Sequence, residues 1–140
     1  AFGEIVRGMH HWGASLVIVM MFLHTLRVFF TGSYKKPREL NWMVGVGIFG
    51  VMMGLGFTGY LLPWDMKALF ATKVGIEIAA SVPFIGSMIK VLLAGDSTIL
   101  GAQTLTRFFA IHVFFLPAVL FGLLAAHFIM IRRQGISGPL

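Results

Sequence analysis

The chain has 140 residues, 58% of them hydrophobic and only 11% charged, with 11 Lys and Arg against 5 Asp and Glu. A soluble domain carries roughly 25% charged residues, so this composition leaves little to coat a water-facing surface. Disorder and collagen-like repeats fail on hydrophobicity, and the absence of Cys removes disulfide scaffolds, iron–sulfur clusters and thiolate zinc sites; the class left is a membrane protein. The pI near 10.4 would suit nucleic acid, but the basic residues flank apolar runs instead of forming a patch. That placement reports membrane orientation, with no nucleic-acid partner.

In chain order, 19 uncharged residues separate Arg7 from Arg27, 25 separate Glu39 from Asp65, and 24 separate Arg107 from Arg132. About 20 apolar residues cross a hydrocarbon core ~30 Å thick, so three transmembrane helices are expected, near 6–30, 42–62 and 107–132. The opening Ala1-Phe2-Gly3-Glu4 has no basic flank and precedes an apolar run longer than a signal peptide uses. No signal peptide is expected; a start without Met suits a processed or incompletely represented chain.

Residues 64–105 come between the second and third spans. Their longest uncharged stretch, Ile78 to Ile89, is 12 residues and is broken by Pro83 and Gly86. It is too short to cross and reads as two amphipathic helices at the interface. Lys35, Lys36 and Arg38 follow the first span, and Arg132 and Arg133 follow the third. Three spans put both clusters on one side, whereas a fourth would separate them. The positive-inside rule then places the 31–41 loop and the C-terminus on the cytoplasmic or stromal side.

Five histidines, at 10, 11, 24, 112 and 127, fall in spans one and three and nowhere else. Ionisable groups inside a bilayer are costly and usually functional. His10 and His24 are 14 residues apart, about 40° around the helix axis and ~21 Å along it. His112 and His127 are 15 apart, about 60° and ~22 Å. Spans one and three run the same way, so His10 matches the depth of His112, and His24 that of His127. Such pairs, with no other ligand at hand to complete a tetrahedron, suit iron porphyrins rather than zinc. A lone histidine would read as a hydrogen-bonded core residue; four at matched depths read as two haem sites. His11 points about 100° away from His10 and reads as an interfacial or helix-contacting residue, with ligation in place of His10 the alternative.

Arg7 and Arg27 sit near the membrane faces, where guanidinium would pair with haem propionates or simply snorkel. Span two has no His but six glycines from Gly45 to Gly59. Glycines admit a flat macrocycle or a neighbouring helix.

Several strings together resemble the cytochrome b family. They are Arg7-Gly8-Met9-His10-His11-Trp12-Gly13-Ala14-Ser15, Thr31-Gly32-Ser33-Tyr34-Lys35-Lys36-Pro37-Arg38, Gly59-Tyr60-Leu61-Leu62-Pro63-Trp64, Thr104-Leu105-Thr106-Arg107-Phe108 and the ending Arg132-Arg133-Gln134-Gly135-Ile136-Ser137-Gly138-Pro139-Leu140. The 15-residue His112–His127 gap and the Gly-Pro-Leu stop are similar to the b6 type. The resemblance implies an all-α membrane fold: the second to fourth helices of a di-haem four-helix bundle, with the first expected before Ala1. It implies two b-type haems, a positive-side one on His10 and His112 and a negative-side one on His24 and His127. Arg7 and Arg27 would meet their propionates, and Gly45 and Gly59 would pack on their faces.

Met53, Phe57, Tyr60 and Val74 match the family's quinol-oxidation pocket, and Lys35 and Arg132 its quinone-reducing side; by spacing alone Met53 and Phe57 would read as core fillers. Departures are Phe70, where relatives often have Trp, and the second histidine, His11. In b6 proper a Cys near the first helix anchors an extra haem c, which this chain does not test. The implied function is that of an electron-carrying subunit in a quinol-oxidising, proton-translocating complex, which divides the two electrons of quinol. Its partners would be a Rieske iron–sulfur protein, a c-type cytochrome and a subunit-IV-like chain, in a dimer within a bacterial or thylakoid membrane. The alternative is a di-haem anchor of another respiratory enzyme, which would not require Gly-Tyr-Leu-Leu-Pro-Trp followed by interfacial helices.

Overall fold

The computed structural model describes residues 2–95 and 100–137. Ala1, positions 96–99 of the expected interfacial segment and the Gly138-Pro139-Leu140 ending lie outside them. All regular structure among the described residues is helical: α1 (Phe2–Phe30), α2 (Glu39–Leu61), α3 (Met66–Ala80), α4 (Gly86–Ala94) and α5 (Ala102–Gln134). Helices α1, α2 and α5 are long and apolar enough to cross a membrane. The chain divides into two compact units, Ala1–Met53 with Val119–Leu140, and Gly54–Ala118.

In the first unit, Glu4 in the first turn of α1 and Arg27 in the last complement the helix dipole. No α1 residue is buried by the rest of the chain, as suits a helix bathed in lipid or in further helices. Gly32, at φ 64°, stops the helix: its N–H bonds the Phe29 carbonyl while that of Ser33 bonds Val28. This is a Schellman cap, whose left-handed residue favours glycine. Phe22 meets Phe49 of α2 edge-on at 4.9 Å. The α1–α2 loop is tied to the far end of α5, with Ser33 Oγ 2.8 Å from Ser137 Oγ and Arg38 Nε donating to the Gly135 carbonyl at 3.3 Å. The two ends with basic clusters therefore lie together, as an odd number of crossings demands.

The second unit holds the two short helices expected between the spans. Asp65 accepts the Ala68 N–H at 2.8 Å and caps α3. Between α3 and α4 only glycine fits at Gly86, because a Cβ there would stand 2.0 Å from the Ala80 carbonyl oxygen. Lys90 and Glu77 pair across the two helices at 2.7 Å. Arg107 Nη1 donates to the carbonyls of Val91 and Leu92 at 2.6 and 2.5 Å, a cation on the negative end of α4. Thr104 Oγ1 donates to the Ala94 carbonyl at 2.9 Å. Around these contacts Leu61, Ile76, Ala94 and Phe108 form the core.

The third long helix starts at Ala102, ahead of Arg107. The Gly101 N–H meets Thr104 Oγ1 at 3.3 Å, which opens the helix early, and Arg107 is spent on capping α4. The same helix contains a π-turn, Ile111–Phe115, with the Leu116 N–H bonded to the Ile111 carbonyl. Pro117 supplies the cause: it has no N–H for the Val113 carbonyl, and its ring would clash with that oxygen in a regular helix.

Candidate functional site

Two rings on α5 lie half-buried against glycines of α2. In the first unit the His127 ring faces Gly45, where a Cβ would lie 3.5 Å from Cε1 and 4.0 Å from Nδ1. The Asn41 backbone lies beside this ring, and His24 of α1 is within electrostatic range of it. Nδ1 itself is buried with no hydrogen-bond partner, as are Asn41 Oδ1 and Gln134 Oε1. A buried polar atom left unsatisfied costs about 1–3 kcal/mol. It marks a place suited to a further binding group.

In the second unit His112 lies against Gly59, where a Cβ would be 2.7 Å from Cε1 and 3.3 Å from Nε2. Thr58 Oγ1 is 3.0 Å from His112 Nδ1. Here glycine is required, whereas at Gly45 a methyl would make ordinary contact. Gly59→Ala is therefore expected to displace the His112 ring at a cost of about 1–3 kcal/mol, and Gly45→Ala to disturb the His127 ring less. Thermal unfolding and cofactor content of the two variants measure the contrast; equal effects would contradict it.

The remaining expected site residues are placed as follows. His10, His11 and the arginines Arg7 and Arg27 are exposed on α1, as are Lys35 on its loop and Arg132 near the end of α5. His10 belongs to the first unit and His112 to the second. Met53, Phe57, Tyr60 and Val74 are 42%, 41%, 55% and 59% exposed. Phe57 lies edge-on to Phe108, at 6.4 Å, and crosses α3 where Gly75 leaves room. Val74 lines an open groove with Phe70, Lys73 and Glu77. Sequence reasoning missed Thr58 and Gly75; a hydroxyl beside Gly59 in an otherwise apolar helix was the available signal.

The model of the cytochrome b(N-terminal)/b6/petB family matches residues 15–140. The chain belongs to the cytochrome b family. It is 83% identical over 140 residues to the menaquinol:cytochrome c reductase cytochrome b subunit of Bacillus subtilis (strain 168), covering all of this chain and 62% of that protein. The corresponding protein of Geobacillus thermodenitrificans is 84% identical over the same shares. Cytochrome b6 of Heliobacterium mobile is 49% identical over 139 residues, 99% of this chain and 65% of that protein. The chain thus spans about three fifths of the length of the curated relatives it matches.

Membership in the cytochrome b family implies haem b, and the residues fit it. Imidazole is a regular axial ligand of haem iron, the buried His127 Nδ1 lacks a hydrogen-bond partner, and Gly45 and Gly59 place no side chain where the two rings lie against α2. Among the described residues no three His, Cys, Asp or Glu gather as a metal cluster.

Proposed function

We propose that this chain is the di-haem part of a menaquinol-oxidising, proton-translocating complex of the cytochrome bc/b6f type, linking quinol oxidation at one membrane face to quinone reduction at the other. The observation that carries the reading is the repeated pairing of an α5 histidine with an α2 glycine, His112 with Gly59 and His127 with Gly45. Menaquinol as donor and cytochrome c as acceptor rest on the names of relatives at 83% and 84% identity.

In this reading His10 and His112 hold the positive-side haem, and His24 and His127 the negative-side haem. Each haem, when bound, supplies an iron that exchanges one electron. The protein's part is to set ligand basicity, pair the propionates and exclude water. Arg7 and Arg27 offer bidentate, permanently charged partners to carboxylates near the two faces. Met53, Phe57, Tyr60 and Val74 line the quinol pocket, and Lys35 and Arg132 the opposite one. A Rieske protein, a c-type cytochrome and a subunit-IV-like chain complete the assembly, which is dimeric. The 31–41 loop and the end of α5 face the cytoplasm, in accord with the basic residues on both.

The π-turn supports equal treatment of the two histidine pairs. A π-turn holds one more residue than an α-turn, and it falls on α5, where the histidines are 15 apart, while α1, with its histidines 14 apart, is α-helical throughout.

Purification of the complex tests the proposal. A reduced-minus-oxidised spectrum with b-type bands, two b haems per chain and menaquinol-analogue:cytochrome c reductase activity are expected. Absent b-type bands, or one haem per chain, would overturn the di-haem assignment; haems without a Rieske partner would favour a simple membrane anchor.

A further inference from the structure

We propose that Thr58 is the positioning residue of the His112 ring, fixing which nitrogen carries the proton and hence how strongly the other donates to iron. Thr58 is buried, and its single hydroxyl proton is committed to the Gly54 carbonyl, one turn earlier, at 2.8 Å. The same oxygen stands 3.0 Å from His112 Nδ1. A hydroxyl has one proton to give and lone pairs to spare, so the remaining contact is one in which His112 Nδ1–H donates and Thr58 accepts. In a neutral imidazole that arrangement leaves the lone pair on Nε2. This is the tautomer an iron-ligating ring requires, with its second nitrogen anchored by a hydrogen bond.

The ring is confined as well as oriented. Gly59, the next residue, lies against it so closely that a Cβ would come 2.7 Å from Cε1, 3.3 Å from Nε2 and 3.4 Å from Nδ1. Any sideways rotation to another acceptor is limited by the α2 backbone. The relay from His112 through Thr58 to the Gly54 carbonyl is also polarised in one direction, because each group donates to the next. An acceptor on Nδ1–H raises the basicity of the other nitrogen, and a more basic ligand favours ferric over ferrous iron.

The inference rests on His112 as a haem ligand, so the two must be tested apart. In the purified complex, redox titration of Thr58→Val should show one b haem with a raised midpoint potential and the other unmoved. The expected change is a severalfold rise in the ferrous-to-ferric ratio at fixed ambient potential, where a tenfold rise is about 59 mV for a one-electron couple. Thr58→Ser, which restores the oxygen, should return the potential to that of the unmodified complex. Thr58→Ala removes the acceptor without a branched side chain and should shift the same haem in the same direction, so the outcome does not depend on how Val packs. An unmoved or lowered potential in Thr58→Ala, equal shifts of both haems, or failure of Thr58→Ser to restore the value would overturn the role of Thr58. Retention of both haems in His112→Ala would instead overturn the ligand assignment beneath it.

Discussion

His127→Ala is expected to halve the b-type haem content of the complex, from two per chain to one, while leaving the polypeptide folded. The two halves of this expectation have separate physical grounds. The protein loses little, because His127 Nδ1 is buried without a hydrogen-bond partner and removing it forfeits no hydrogen bond at that atom; the loss is confined to the ring's interaction with the Asn41 backbone. The ring is only half-buried, and its α5 neighbours continue the helix without it. The cofactor, by contrast, loses an axial ligand that nothing nearby replaces. Asn41 is an amide and a poor donor to iron, and His24, the other imidazole in range, is already committed in the proposed pair. Pyridine haemochrome content, read beside helical circular dichroism, checks both halves. Loss of both haems would mean that the sites are not independent, and retention of both would remove His127 from the ligand set.

The three long helices were legible because charge-free runs report bilayer thickness directly, and the short pair because Pro83 and Gly86 break a run too brief to cross. The site was legible to the extent that chemistry rides on residue type. Histidines in apolar helices stand out, and glycines at the same 14-residue interval as His10 and His24 hinted at close approach. Thr58 was not legible, since its importance comes from the ring of His112, 54 positions further along the chain on another helix. Gly75 stayed hidden for a similar reason: it yields space to Phe57, on a different helix. The early start of α5 depends on Gly101 and Thr104 bonding each other, a local contact that charge counting overlooks. Pro117 was in view, and set beside the odd 15-residue gap it would have pointed to a widened turn. Regular 100° arithmetic does not contain that possibility.

Deleting Phe114 from the π-turn is expected to preserve both haems, whereas deleting Val17 from α1 is expected to abolish haem binding at one site or both. The π-turn Ile111–Phe115 is closed by a bond from the Leu116 N–H to the Ile111 carbonyl, five residues back instead of four. Removing one residue lets the segment close as an ordinary α-turn and brings His112 and His127 to a 14-residue interval, that of His10 and His24. Phe114 is 69% exposed, so its loss also takes little packing with it. Helix α1 is α-helical throughout Phe2–Phe30 and has no spare residue to give. Deleting Val17 shortens the His10–His24 gap to 13, which turns one ring by about 100° and draws it ~1.5 Å along the axis relative to the other. A displacement of even ~1 Å is costly at a site that depends on geometry, and a quarter-turn takes the imidazole off the helix face altogether. Haem counts and spectra of the two deletions decide the matter. Loss of a haem in the Phe114 deletion would show that the widened turn is itself required for ligation, and tolerance of the Val17 deletion would refute a fixed pair of ligands on α1.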